Sequence, residues 1–243
     1  MLSRRVFVCA AVLAPLCASP ALAQTYPDKP VKIIVPIGPG GSYDIVGRTV
    51  ADALGKRLGQ SVVVENKPGA GTVVGTNFVA REPADGYTLL VGGLSNIVFN
   101  PALYSKLPYD PMKEFTPVAL VFGFSYVLVG RADLPYNTLS EVIAAAKKDP
   151  GKLSMANAGV GTGQHLVAAA LMNATGAKFV EIPYKGAQAA YPDIMSGRVD
   201  FFIDSYAAAL PHIKSGKVKA FAIAGPRRIA QTPDVPTMAE AGV

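Results

Sequence analysis

The chain is poor in the residues that most often signal chemistry. Among 243 residues there are two cysteines, two histidines and no tryptophan. Both cysteines, Cys9 and Cys17, sit near the N-terminus. A chain that has shed that stretch can form no disulfide and no thiolate metal site, and it has no cysteine nucleophile. His212 has no acidic neighbour at metal-ligand spacing, so no metal and no cofactor is expected. The sequence has no G-x-S-x-G elbow, no H-E-x-x-H pair and no Walker A loop. The glycines of Gly159-Val160-Gly161-Thr162-Gly163 miss the G-x-G-x-x-G spacing, the third arriving one position early. Basic residues are scattered without a dense run, which argues against nucleic acid as a partner. Past the N-terminal stretch, no apolar run is long enough to span a membrane.

What is present begins with a leader. Arg4 and Arg5 precede an apolar core from Val6 to Leu16, and Ala21-Leu22-Ala23 forms a small-residue cleavage site before Gln24. That order predicts a secretory signal peptide cleaved after Ala23 and a mature protein outside the cytoplasm, in the periplasm. Pro15 and Pro20 argue against a buried N-terminal helix in its place. Leu16-Cys17 follows Ala14-Pro15, a poor lipoprotein signal. Ser3-Arg4-Arg5-Val6-Phe7 also fits a twin-arginine signal, which leaves the export route open. Losing Arg4 and Arg5 lowers the formal charge from +6 to +4, a weak lean toward anionic ligands. Residues 24–243 suffice for one large or two small domains.

Short β-branched runs then alternate with helical patterns. Strands are expected at Val31–Val35, Ser61–Glu65 and Tyr87–Val91, and helices at Asp44–Leu58 and Thr72–Arg81. This βαβαβ order predicts a parallel sheet covered by helices on both faces. Phe115–Gly130 reads as strands passing between two lobes. A second α/β lobe follows, with helices at Ser140–Lys147, Gly163–Asn173 and Ala189–Ser196. Its strands are expected at Lys152–Ala156, Phe179–Pro183, Val199–Ile203 and Val218–Ala224. Asp204–Ile213 reads as a loop entering a short helix, and Pro233–Glu240 as the start of a new helical segment.

Two glycine-rich loops join a strand to a helix. In the first, Pro36-Ile37-Gly38-Pro39-Gly40-Gly41-Ser42-Tyr43-Asp44, glycine leaves room for a ligand at the backbone. The free N–H groups and macrodipole of the following helix suit a carboxylate, phosphate or sulfate. The same residues also suit a tight turn capped by Ser42 or Asp44. The second, Asn157-Ala158-Gly159-Val160-Gly161-Thr162-Gly163-Gln164-His165, repeats the arrangement in the other lobe. There Thr162 can cap the helix or serve the ligand, and His165 reads as a hydrogen-bonded helix residue rather than a base. Both loops lie where α/β sheets bind ligands, at the carboxyl ends of parallel strands. Lys67-Pro68-Gly69-Ala70-Gly71 reads as structural. Ser95 and Asn96 offer polar groups at the same edge. Asp204 and Tyr206 either meet the far end of a ligand or belong to the start of the next helix.

At these residues the sequence resembles the Bug-type extracytoplasmic solute receptors of tripartite tricarboxylate transporters. The matching stretches run in order along the chain. They include residues 26–36, Pro39-Gly40-Gly41 with Asp44 and Arg48, Glu65-Asn66-Lys67-Pro68-Gly69-Ala70-Gly71, and Pro83-Ala84-Asp85-Gly86-Tyr87-Thr88-Leu89-Leu90. Asn100-Pro101-Ala102-Leu103-Tyr104 follows, then Gly159-Val160-Gly161-Thr162 with His165, Tyr184-Lys185-Gly186, Val199-Asp200 and Pro233-Asp234-Val235-Pro236-Thr237. The resemblance implies an α/β fold of the type II periplasmic binding-protein kind, two lobes closing on a small carboxylate. It implies lobes at residues 24–122 and 123–232, with 233–243 beginning a return to the first lobe that would continue past Val243, so that the C-terminus reads as truncated. It also implies loops at Gly38–Asp44 and Gly159–Gly163 that hold the carboxylate through backbone N–H groups, hydroxyls and waters. Gly38, Gly40, Gly41, Ser42, Asp44, Ser95, Asn96, Gly161, Thr162, Gly163, Asp204 and Tyr206 are the expected ligand-binding set, with Ile37 and Tyr43 beside them. Ala158 stands where a serine is common in the family.

The expected function is a monomeric periplasmic solute-binding protein that delivers a carboxylate to a transporter permease, with no covalent chemistry. The alternatives are an exported hydrolase or isomerase, a ligand sensor, or a truncated fragment without function.

Overall fold

The computed structural model describes residues 26–243. The leader, its cleavage site and both cysteines lie outside the described residues. Among the described residues no helix is long and apolar enough to cross a membrane.

The first half builds the parallel sheet that the sequence predicts. Its strands are β1 (Val31–Val35), β2 (Val62–Asn66) and β3 (Thr88–Leu90), in the order β2-β1-β3, all parallel. The middle strand, β1, buries Val31, Ile33, Ile34 and Val35, as a strand covered on both faces must. Helix α1 (Ser42–Leu58) follows β1. It starts at Gly41 and stops at Gly59, a left-handed residue whose N–H bonds the Gly55 carbonyl at 3.0 Å. Helix α2 (Val73–Arg81) follows β2. After β3 come a π-helical turn at Leu94–Phe99 and the short α3 (Asn100–Leu103), which the sequence patterns did not announce.

The second half holds a mixed sheet. Its strands are β4 (Tyr126–Arg131), β5 (Ser154–Asn157), β6 (Val180–Pro183), β7 (Phe201–Ser205) and β8 (Val218–Ala224), in the order β6-β5-β7-β4-β8. β5 is parallel to β6 and β7, whereas β4 runs antiparallel to β7 and β8. Its helices are α4 (Leu139–Lys148), α5 (Gly163–Thr175), α6 (Tyr191–Met195) and α7 (Tyr206–Lys214). One face of this sheet packs Leu128, Met155, Phe201 and Ile203 against α4 and α5. The other packs Val127, Val129, Phe202 and Ile223 against Tyr191, Ile194 and Ala209.

Three expectations need correction. Phe115–Gly130 yields one strand, and it begins only at Tyr126. Pro117 has no N–H to give a neighbour, and Val118 and Leu120 are exposed. The strand expected at Val199–Ile203 lies two residues later, because the Val199 N–H is drawn to the Asp193 carbonyl at 3.2 Å. Asp204 and Ser205 therefore belong to a buried strand rather than a loop. Finally, residues 233–243 form turns, not a helix. Thr237 and Glu240 do exchange the reciprocal bonds of a helix start, at 2.7 and 3.1 Å. Thr237, however, is held as a bridge beside Ile223 of β8.

Candidate functional site

The carboxyl ends of β1, β2 and β3 face those of β5, β6 and β7. The antiparallel course of β4 brings its first residue, Tyr126, to the same edge. Besides the packing of α1 on α7, three close contacts join the two halves there.

At the first, the loop after β1 meets the loop after β6. Gly38 packs so closely on Gly186 and the Lys185 carbonyl that a Cβ at Gly38 would lie 2.7 Å from that oxygen. The Gln188 amide donates to the Gly40 carbonyl at 3.2 Å. Gly40 has φ +78°, a conformation that costs glycine little. Its N–H donates to Asp44 at 2.9 Å. Asp44 also accepts from Arg48 Nε at 3.0 Å and Asn66 Nδ2 at 2.9 Å. Burial alone would raise the Asp44 pKa, but Arg48, Gly40 and Asn66 outweigh it and hold the carboxyl below its ordinary value. Asp44 thus braces the glycine loop from beneath. The Gly41 carbonyl takes the Asp44 and Ile45 N–H groups, each at 3.0 Å. The amides of Ser42 and Tyr43 in the first turn of α1 have no acceptor among the described residues.

At the second point, Gly71 lies against Gly161 and the Val160 carbonyl. Gly161 has φ +84°, and its N–H points to His165 Nδ1 at 3.3 Å. The other ring nitrogen of His165 is 3.6 Å from Glu181. Thr162 caps α5, accepting the His165 N–H at 3.4 Å and donating to the Gly159 carbonyl at 2.6 Å.

The third point joins the halves by a hydrogen bond. The Gly163 N–H, at the start of α5, donates to Ser95 Oγ at 3.0 Å. Ser95 also lies beside the Tyr43 hydroxyl, although burial is the larger influence and raises the Tyr43 pKa. The Tyr126 hydroxyl occupies the space that a Cβ at position 163 would need, which explains the glycine there. Phe122 and Phe124 stack at 5.5 Å between Tyr43 and Tyr126, forming an aromatic row from one half to the other.

The remaining expected residues sit behind this edge. Asn96 is fully buried and holds its own turn, accepting from Gly93 N–H and donating to Thr76. Asp204 is fully buried and accepts from Tyr191 at 2.9 Å, the Ser205 N–H at 2.7 Å and Gln164 at 3.4 Å. Burial pushes its pKa up to about 6 despite those donors. Tyr206 turns toward Thr232, hydroxyl to hydroxyl at 3.1 Å, among the apolar residues of the second half. The structure thus brings together Gly38 to Asp44, Ser95 and Gly161 to Gly163. It adds Tyr126 and Gln188, which sequence patterns missed because each looks like ordinary strand or turn, and it gives contacts to Gln164 and Gly186, which the sequence placed in quoted stretches without a role of their own.

Comparison with known proteins gives concordant matches. Residues 46–243 match a family described as the tripartite tricarboxylate transporter family receptor. A protein encoded in the tcbD–tcbE intergenic region of Pseudomonas sp. (strain P51) is 36% identical over 218 residues, covering 90% of this chain. The chain spans 65% of that relative's length. The periplasmic binding protein BugD is 39% identical with a TM-score of 0.84, over 89% of this chain and 72% of BugD. MatC from Rhodopseudomonas palustris, solved with bound malate, is 35% identical with a TM-score of 0.84, over 89% of this chain and 74% of MatC.

Proposed function

Because the chain belongs to the tripartite tricarboxylate transporter receptor family, we propose that it is a solute receptor for a small carboxylate. It works in the periplasm after loss of residues 1–23, as a monomer, and hands its ligand to a membrane permease. It does no covalent chemistry. Its lobes are residues 24–122 and 123–232, with 233–243 leading back toward the first.

The observation that carries this reading is the free first turn of α1, at the end of a glycine loop braced by Asp44 and packed on Gly186 and Gln188 of the other half. The Ser42 and Tyr43 amides lack acceptors among the described residues. Partial positive charge at a helix start suits one carboxylate without a cationic side chain. A ligand held there and touched by the second half favours the closed arrangement over the open one. The malate bound by MatC and the periplasmic setting of BugD support the same reading. So does the placement of His212, which stacks on the Tyr191 ring with ring centres 3.8 Å apart, while the Tyr191 hydroxyl takes up Asp204. That geometry suits packing better than acid–base work.

The test is thermal unfolding of residues 24–243 against a panel of mono-, di- and tricarboxylates. A ligand at about a hundred times its dissociation constant adds about 2.7 kcal/mol to a native state that alone binds it. A cooperative transition raised by one acid is expected. A cooperative transition that no acid moves would sink the carboxylate reading.

A further inference from the structure

Four consecutive residues between β2 and α2, Gly69, Ala70, Gly71 and Thr72, all have positive φ, at +142°, +44°, +58° and +83°. Glycine adopts that region freely. Alanine does so at a cost, and a β-branched threonine is a genuine outlier there. Strain of this kind persists only where the surroundings over-determine the backbone. The stretch 67–71, which by itself reads as structural, therefore runs into a turn that other residues must hold.

Asn100, the first residue of α3, holds it. Asn100 is fully buried. Its Nδ2 lies 3.1 Å from each of three oxygens, the Gly71 carbonyl, the Thr72 hydroxyl and the Tyr109 hydroxyl. Tyr104, just after α3, donates its hydroxyl to the Ala70 carbonyl at 3.2 Å. The Thr72 carbonyl accepts from the Thr76 hydroxyl at 2.9 Å. The Asn100 Oδ1 is buried and has no hydrogen-bond partner among the described residues. The donor side of the amide therefore fixes its orientation. The oxygen faces the other half. A Cβ on Gly161 would lie 3.6 Å from the Tyr104 hydroxyl, 3.7 Å from Gly71 Cα and 3.8 Å from Asn100 Oδ1. Both residues that tie the turn thus stand where it meets the second glycine loop.

We propose that Asn100, aided by Tyr104, is a positioning residue for ligand capture: it keeps residues 69–72 left-handed so that Gly71 seats the loop 159–163 of the other half. It acts on the support of that loop rather than on the ligand. This rests on the receptor reading above. Released from Asn100, the turn relaxes toward negative φ, Gly71 withdraws from Gly161 and the Val160 carbonyl, and the second loop loses its backing.

The test is hydrogen–deuterium exchange of the ligand-free protein, together with titration calorimetry against acetate, succinate, malate and citrate. In Asn100→Ala, the peptide spanning residues 158–165 should exchange about tenfold faster, and the best-bound acid should lose about tenfold in affinity. Tyr104→Phe removes one tie and should change both about threefold. Adding Ala70→Gly to either variant should restore most of both, because glycine keeps the left-handed form without ties. Thr138→Ala, far from the cleft, should leave both unchanged. If Asn100→Ala loses its cooperative unfolding, Tyr104→Phe and its double variant with Ala70→Gly carry the test. Unchanged exchange at 158–165 in the folded variants, or no recovery with Ala70→Gly, overturns the positioning role and leaves the receptor reading standing. A wild type that binds none of the acids overturns the receptor reading and the effect on affinity with it, and exchange then decides the seating of the loop by itself.

Discussion

Asp44 and Asp204 are both buried, yet their surroundings push them in opposite directions. Asp44 has a guanidinium beside it and ends below its ordinary pKa. Asp204 has only neutral donors and is pushed up to about 6. An acid whose pKa is raised by folding contributes stability that is fully present below its unfolded pKa, about 3.9, and lost as pH rises through the folded value. Relative to Asp204→Asn, the wild type should therefore gain about 2 kcal/mol as pH falls from about 7 to about 4. Carboxylates with lowered pKa values, such as Asp193 and Glu240, act oppositely, so the difference between the two proteins is the quantity to follow. Urea unfolding at several pH values measures it, and a flat difference would contradict the burial argument. None of this was visible in the sequence, where Asp204 follows an apolar run and reads as a loop residue. Tyr126 was hidden for a similar reason. An aromatic residue at a strand start looks like core, and only the antiparallel placement of β4 brings its hydroxyl to Gly163 at the edge where the halves meet.

At the level of elements, the sequence was legible wherever one physical cause dominated. Alternation of β-branched runs with amphipathic stretches gave β1, β2 and β3 and their helices to within a residue or two. Glycine-rich strand-to-helix loops marked both sides of the cleft. Legibility failed where a contact between elements decided the outcome. Such contacts hold Val199 outside β7 and Thr237 beside β8. Helix caps provide a direct comparison. Thr138 caps α4 by accepting the Glu141 N–H at 3.2 Å, far from the cleft, and Thr162 caps α5 within it. Thr138→Ala and Thr162→Ala should each cost about 1 kcal/mol in denaturant unfolding. Only Thr162→Ala should also weaken ligand binding, because it frees the Gly159 carbonyl and loosens the loop. Equal binding by both variants would make Thr162 a cap and nothing more.

For the whole molecule, the proposed closing on a ligand would draw on the contacts between the two halves. Two side-chain hydrogen bonds cross between them at the cleft, Gly163 N–H to Ser95 and Gln188 to the Gly40 carbonyl. Such a bond has a net value of about 1 kcal/mol, enough to shift a two-state equilibrium about fivefold. Ser95→Ala should therefore move the ligand-free protein toward the open arrangement. Small-angle scattering should record a larger radius of gyration that saturating ligand restores. An unchanged radius would place closure under other control.

Where Gly38 faces Gly186 and Gly71 faces Gly161, main chain meets main chain. The fit of one half on the other is set there by peptide groups, whereas recognition of a ligand's distinguishing groups falls to side chains. Selection for a new ligand and selection for a working closure thus act on different atoms. A library varied at the side chains that line the cleft would explore new appetites on an unchanged jaw, and diversity of cargo could accumulate without the closing motion having to be reinvented.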